Sequence, residues 1–223
     1  GGIPIVNAIN NGLNANNISK FMGIFNGTSN FILSKMTHEQ TTFKDALEEA
    51  QRLGFAEADP TDDVEGVDAA RKVVITSYLS FNQVIKLNDV KSVGISDITL
   101  ADINAASALN YKIKSIGKGT YENGYVNASV EPTLIHKNHQ LAAVENEYNA
   151  IYVIGDAVGD TMFYGKGAGS LATGSAVVSD LLNVALFFES NLHTLPPHFE
   201  LKTEETKEMM DGAEPVVIQE KSN

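Results

Sequence analysis

Hydrophobic and polar positions follow the period of a helix in the first half of the chain. After Thr42, one stretch carries apolar side chains at positions i, i+3, i+4 and i+7: Phe43, Ala46, Leu47 and Ala50. Thr42 suits the N-cap of this predicted helix, and Gly54 suits its end. A longer stretch, from about Glu65 to Phe81, also places its apolar residues on one face and predicts a second helix.

Two shorter helices are predicted on either side of these. The segment NFILSKM follows a turn, and Thr28 or Ser29 is suited to cap a helix there. Residues from Leu100 to Ala108 predict another helix, with Asp97 or Thr99 as its cap.

The pattern changes to a period of two after Ala108, which indicates strands. An Asn123-Gly124 pair predicts a tight hairpin within this region. Further strands are predicted at Ile18 to Phe25, at Ala150 to Ile154 and at Thr161 to Tyr164. A Gly-rich loop is predicted from Tyr164 to Ser175, followed by a helix to about Phe188.

The order of these elements predicts an α+β fold, in which a mostly antiparallel sheet is covered on one face by helices. Residues 1–190 are predicted to form one domain. Residues 191–223, with Pro196-Pro197 and a mostly charged run, are predicted to form a C-terminal extension or linker. Because the sequence opens on Gly-Gly without a methionine, we expect it to be part of a longer protein.

Composition narrows the possible partners. The formal net charge is −12, which disfavours nucleic acid and anionic membrane surfaces, because both need dense Lys and Arg. The chain contains no cysteine, so disulfides and thiolate metal sites are excluded. Uninterrupted apolar runs are shorter than a membrane span, and we expect a cytoplasmic protein.

Charged residues crowd the segment GFAEADPTDDVEGVDAARK, from Gly54 to Lys72. Six acids fall within twelve residues: Glu57, Asp59, Asp62, Asp63, Glu65 and Asp68. A calcium-binding EF-hand loop that begins at Asp59 would need glycine at Val64 and glutamate at Ala70, so that explanation fails.

Two explanations of the acidic segment remain open from the residues alone. Asp68 and Lys72 are four residues apart, an ordinary spacing for an exposed ion pair at the start of a helix. Ile75 and Leu79 lie beside this pair, which predicts partial burial. If Glu57 reaches the same face, two carboxylates and a lysine would form a site for a small zwitterion.

The acidic segment resembles the signature of the homoserine dehydrogenase family. Further similar segments are GGIPI at the start, GIFNGTSNFIL, ALEEAQRLGFAEADP and YGKGAGS with TGSAVVSD, so the resemblance spans Gly1 to Ala185. It implies a homodimeric enzyme that interconverts L-aspartate 4-semialdehyde and L-homoserine with NADP or NAD, in threonine, methionine and isoleucine biosynthesis. It also implies that a nucleotide-binding domain precedes Gly1, so we expect this chain alone to be inactive.

Residue roles follow from the resemblance. Lys72 would be the catalytic acid, with Asp68 and Glu57 holding the substrate's hydroxyl and ammonium end. Further substrate contacts would come from Asp63, Gly27 and Thr28. A silent dimerisation or regulatory module and a different dehydrogenase with the same substrate domain remain as alternatives.

The resemblance also implies cofactor and cation contacts. These would come from a turn at Asn26, Gly27 and Thr28 and from the glycines Gly165, Gly167 and Gly169. From spacing alone, those three glycines fit a structural turn equally well. Backbone carbonyls of Gly1 and Ile3 would supply part of a sodium site, whose remaining ligands would precede residue 1.

Overall fold

The computed structural model describes residues 1–189 of the 223-residue chain. Its helices are α1 Ile5–Asn7, α2 Gly27–Glu39, α3 Phe43–Arg52, α4 Thr61–Val64, α5 Val67–Phe81, α6 Leu100–Ala108 and α7 Ser170–Glu189. Its strands are β1 Ile18–Ile24, β2 Lys91–Ser92, β3 Tyr111–Glu122, β4 Tyr125–His136, β5 Tyr148–Gly155 and β6 Gly159–Lys166. Shorter helical turns lie at Ala8–Gly12, Leu87–Asp89 and Gln140–Ala143. Residue contacts divide the chain into two units after Ser179. The candidate functional site lies in the first unit, Gly1–Ser179.

The six strands form one sheet in the order β2-β4-β3-β1-β5-β6. Four of the five neighbouring pairs are antiparallel, and the two-residue strand β2 runs parallel to β4. The turn between β3 and β4 contains Asn123 and Gly124, both with positive φ, as a tight hairpin requires. The predicted α+β class and this hairpin are confirmed.

Helix α5 packs on one face of the sheet. Phe21 of β1, Val73 of α5 and Val153 of β5 are fully buried in the same apolar cluster. Helices α2, α3 and α6 enclose a second cluster around Ile32 and Ile103. These two clusters fix the start of α2 and the start of α5 relative to the end of β1.

The opposite face of the sheet carries a third apolar cluster. Ile24, Ile116 and Ala150 are fully buried there beneath Leu141 and Val144 of the connection before β5. This connection is also tied to α2, because Asn30 Nδ2 donates to the carbonyl oxygens of Val144, Asn146 and Tyr148 at 3.2, 2.8 and 3.2 Å.

Most predicted elements are present, with changed limits. The strand from Ile18 and the helices after Thr42 and Thr99 are confirmed, and both threonines accept the capping hydrogen bond. The predicted helix from Glu65 begins instead at Val67, because Gly66 adopts a left-handed conformation with φ of 80°. The cap of α2 was also predicted wrongly: Asn26 occupies it, since its side chain accepts from the backbone N–H of Ser29.

The Gly-rich loop is shorter than predicted. Strand β6 continues through Gly165 to Lys166, because its backbone pairs with β5 as far as Tyr148. Helix α7 begins at Ser170, so only Gly167–Gly169 connect the two elements. The prediction of a loop from Tyr164 to Ser175 was therefore wrong at both ends.

Helix α7 exposes large apolar residues, among them Leu171, Leu182 and Phe188. By length and composition alone, Ser170–Phe188 would suffice to cross a membrane, with a mean hydropathy of 1.6 and no part of it buried. The expected absence of a membrane partner therefore stays a prediction. The extension predicted at residues 191–223 lies outside the described residues.

Candidate functional site

Four side chains from separate parts of the chain meet where β1 ends. Asn26 follows β1 and caps α2, Asp63 lies in α4, and Asp68 and Lys72 lie in the first two turns of α5. Asn26 Nδ2 donates to Asp63 Oδ1 at 2.6 Å and to Asp68 Oδ2 at 2.9 Å. Asn26 thus joins the predicted site residues Asp63 and Asp68, and Asp68 in turn accepts a hydrogen bond from Lys72.

The break at Gly66 makes this arrangement possible. In one continuous helix, positions 63 and 68 would point about 140° apart, so both could not face the same side chain. Gly66 is in the left-handed region, and a Cβ there would lie 2.9 Å from Ser92 Oγ and 3.1 Å from Val130 Cγ1. A residue with a side chain would be strained at this position and would also collide, so glycine at position 66 permits the separation of α4 from α5.

Lys72 points its ammonium back toward the end of β1. Its Nζ donates to Asp68 Oδ2 at 2.7 Å and to the carbonyl oxygen of Phe25 at 3.0 Å. The side chain is 48% exposed, so the predicted partial burial of the pair is modest. An ammonium has three protons, and these two bonds leave one for another acceptor.

A groove of about 180 Å³ opens beside Lys72. Most of its lining is apolar, and the lysine, Thr76 and Asn149 are its polar side chains. Gly1, Ile3 and Gly167 also line it. The groove therefore combines an apolar wall with one cation at its edge, as sites for small organic ligands commonly do.

Close backbone contacts join the start of the chain to Gly167 at the groove. Gly2 N donates to the carbonyl oxygen of Gly167 at 3.2 Å, and a Cβ on Gly1 would collide with that same oxygen. A Cβ on Gly167 would lie 2.5 Å from Oδ1 of the buried Asn149. The absence of side chains at Gly1 and Gly167 thus permits the close packing of the backbone at this position.

Comparison with known proteins identifies the family of the chain. A sequence profile described as homoserine dehydrogenase matches residues 4–182. The chain belongs to the homoserine dehydrogenase family. Its resemblance in the acidic segment is thus part of a similarity that extends over most of its length.

Individual relatives support the same family. Homoserine dehydrogenase of Bacillus subtilis strain 168 is 53% identical over 184 residues, which cover 82% of this chain and 42% of that protein. A crystal structure of S. aureus homoserine dehydrogenase is 86% identical with a TM-score of 0.76, over 87% of this chain and 48% of that one. A hyperthermophilic archaeal homoserine dehydrogenase mutant in complex with NADPH is 29% identical with a TM-score of 0.69, over 83% and 53%. The chain spans about half the length of the homoserine dehydrogenases it matches.

Glu57 stands apart from the other predicted catalytic residues. It is exposed, and within residues 1–189 its carboxylate makes no hydrogen bond or ion pair. Its turn is nevertheless fixed, since Gln51 Nε2 donates to the carbonyl oxygen of Glu57 at 3.0 Å and Thr28 Oγ1 donates to that of Phe55 at 2.6 Å. The structure thus brings Thr28 to the turn of Glu57, and within residues 1–189 no hydrogen bond or ion pair joins Glu57 to Lys72.

The predicted cofactor glycines occupy different environments. Gly165 lies inside β6, Gly167 lines the groove, and Gly169 is exposed with φ of 106° just before α7. Gly27 is the first residue of α2, where the N–H groups of a helix have no helical partner. Gly27 therefore offers N–H groups without a helical partner, whereas Gly167 packs closely against Asn149. The cofactor contacts of these glycines stay predictions.

The predicted sodium ligands are only partly available. The carbonyl oxygen of Ile3 accepts from Ile5 N at 2.9 Å, and within residues 1–189 there is no cluster of three acidic or histidine side chains suited to a metal. Sodium binding therefore stays a prediction. Sequence reasoning missed Asn149 and the Phe25 carbonyl, because neither belongs to a pattern that periodicity or charge would reveal.

Proposed function

We propose that the full-length protein is an NAD(P)-dependent homoserine dehydrogenase, which interconverts L-aspartate 4-semialdehyde and L-homoserine. The observation that carries this proposal is the position of Lys72, whose ammonium is held by Asp68 and the Phe25 carbonyl at the edge of the groove. Family membership over residues 4–182 supports the same reaction.

Lys72 is proposed to serve the oxygen of the reacting carbonyl. Reduction of the aldehyde adds a hydride to carbon and a proton to oxygen, and the bound nicotinamide supplies the hydride. Lys72 donates a hydrogen bond to that oxygen and then delivers its proton, directly or through a water. In the reverse direction, the resulting neutral amine accepts the proton of the homoserine hydroxyl.

The carboxylates beside Lys72 suit the amino end of the substrate. Asp63 and Asp68 share the amide of Asn26, and Asp68 also binds Lys72, which lines the groove. An ammonium group would be stabilised by such an acidic pair. Glu57 is proposed as a further substrate contact. Its carboxylate is exposed and has no partner within the described part of the chain, so it remains available to a ligand.

Cofactor and substrate contacts are proposed at the start of α2 and at the groove. Gly27 and Thr28 would present backbone N–H groups to the substrate or the nicotinamide, and Gly165, Gly167 and Gly169 would allow the nucleotide to approach. The bound NADPH in the archaeal homoserine dehydrogenase supports an NADP or NAD cofactor for this protein. The backbone carbonyls of Gly1 and Ile3 are proposed as partial sodium ligands.

We further propose a cytoplasmic homodimer that associates through the sheet face carrying Ile24 and Ile116. Met22, Tyr152 and Met162 lie on this face at matching positions of β1, β5 and β6 and are only partly buried. They supply the mixed apolar surface that homodimer interfaces use.

An enzyme assay tests the proposed activity. The full-length protein, purified with the residues that precede Gly1, is expected to oxidise NADPH or NADH when aspartate 4-semialdehyde is added, and the chain of residues 1–223 is expected to show no turnover. No activity in the full-length protein would favour a silent module. Activity with other semialdehydes but not with this one would favour a different dehydrogenase.

A further inference from the structure

Asn26 is buried at the start of α2, and all of its side-chain hydrogen-bonding groups are engaged inside the protein. Its Oδ1 accepts from the backbone N of Ser29 at 2.8 Å, which is the N-cap bond of the helix. This bond determines which end of the amide faces the helix. Nδ2 therefore faces away from it, toward Asp63 and Asp68.

The amide nitrogen uses both of its protons on these carboxylates. Two neighbouring carboxylates repel each other, and a donor shared between them offsets that repulsion. Each aspartate contributes one oxygen to the amide. Within residues 1–189, Asp63 Oδ2 and Asp68 Oδ1 accept no hydrogen bond, so these two oxygens remain available to a ligand.

We propose that Asn26 is a positioning residue for substrate binding. It donates one amide proton to each aspartate while its oxygen caps α2, and it thereby holds Asp63 and Asp68 side by side with their free oxygens available to the substrate ammonium. This inference rests on the proposed function and assigns the charge-recognising part of its substrate site. The side chain of Asn26 has no donor left for a cofactor, so its effect passes through the two carboxylates.

Substitutions of Asn26 distinguish a role in positioning the two aspartates from a role only in capping α2. Asn, Ser and Asp are comparable N-cap residues, so a purely capping role predicts similar behaviour for all three. Asn26→Ser keeps a capping oxygen and removes both amide donors. Asn26→Asp keeps the shape and the capping oxygen, and it places a third carboxylate against Asp63 and Asp68.

In the full-length protein, Asn26→Ser is expected to raise the KM for homoserine about 10- to 100-fold, as expected for lost hydrogen bonds to charged groups. Asn26→Asp is expected to raise this KM further. The value of kcat should change less, because Lys72 keeps its bonds to Asp68 and the Phe25 carbonyl. Equal KM values in the wild type and both variants would overturn the proposal.

Thr99→Ala is the matched control, because Thr99 caps α6 by accepting from the backbone N of Asp102. It should lower the melting temperature and leave the KM unchanged. A rise in KM as large as that of Asn26→Ser would mean that general destabilisation explains the effect, and the inference would fail.

Measuring the stability of the Asn26 variants tests the role of Asn26 independently of the proposed activity. If the wild-type protein does not oxidise homoserine, the proposed function fails, and unfolding of the same full-length variants then decides about Asn26. Asn26→Asp should melt below Asn26→Ser at low salt, and added salt should narrow the difference because it screens like charges. Equal melting temperatures at low salt would show that Asn26 does not hold the two carboxylates.

Discussion

Replacing Glu145 with glutamine would test the buried ion pair that anchors the connection before β5. Glu145 Oε2 lies 3.2 Å from Lys114 Nζ, and Glu145 also pairs with Lys112. Lys114 is only 1% exposed, and its burial lowers its pKa to about 8 despite the nearby carboxylate. Burial alone would raise the pKa of Glu145, but the two lysines, together with a hydrogen bond from Ser34, outweigh burial and hold it at about 2. Both groups are therefore charged at pH 7.

The size of the effect follows from this geometry. Glu145→Gln leaves the Lys114 ammonium with two neutral acceptors, the Val144 carbonyl oxygen at 2.6 Å and Asn30 Oδ1 at 3.2 Å. Removing one partner of a buried ion pair costs about 3–5 kcal/mol of the free energy of unfolding. Because the Glu145 side chain is 23% exposed, we expect the lower end, about 3 kcal/mol. That corresponds to a fall in melting temperature of about 6–12 °C for a unit of this size.

Thermal and urea denaturation at pH 7 would measure the change. Glu147→Gln is the matched control, since Glu147 pairs with the half-exposed Lys166 at 3.3 Å and should cost less than about 1 kcal/mol. The double variant Glu145→Gln with Lys114→Met should regain most of the loss, because it removes both charges. Equal costs for Glu145→Gln and Glu147→Gln, or a double variant as unstable as Glu145→Gln alone, would refute this reasoning.

Two further predictions concern stability. The pKa of Glu145 is about 2 in the fold and near 4.5 when unperturbed, so its stabilising contribution is complete above about pH 4.5 and is lost as the pH falls toward 2. Urea denaturation across this range should show that the free energy of unfolding falls more steeply with decreasing pH in the wild type than in Glu145→Gln. Equal dependence on pH in the two proteins would contradict this prediction. Gly66→Ala should lower the free energy of unfolding by more than about 1 kcal/mol, because the left-handed backbone and the contact with Ser92 both disfavour a Cβ. Gly54→Ala is the control and should lower it less, since Gly54 has a similar φ of 78° but open space around it. Equal losses for the two variants in urea denaturation would contradict the steric part of this explanation.

The sequence predicted local parts of the site better than its long-range contacts. The bond between Asp68 and Lys72 was predictable because both residues lie on one helix, four positions apart. The bonds from Asn26 to Asp63 and Asp68 join residues 37 and 42 positions apart, and no periodic pattern links them. They depend on how α2 and α5 pack against the end of β1.

The surroundings of Glu57 were also not predictable from the sequence. The sequence left open whether Glu57 reaches the face of Asp68, because ten residues, including Pro60, separate the two. In the structure, Thr28 and Gln51 hold the backbone of that turn, and the Glu57 carboxylate stays exposed. The limits of α5 and β6 were also missed, because a left-handed glycine and strand pairing, respectively, overrode the local pattern.

The proposed role of Lys72 in proton transfer is tested most directly by comparing two lysine variants of the full-length protein. Lys72 and Lys44 each form an i,i+4 ion pair on a helix, with Asp68 and Glu48 respectively, and only Lys72 lines the groove. Lys72→Ala is expected to lower kcat for homoserine oxidation by about 100-fold or more, whereas Lys44→Ala should leave it unchanged. Equal kcat values for the two variants would show that Lys72 is a surface ion-pair partner and not the acid of the reaction.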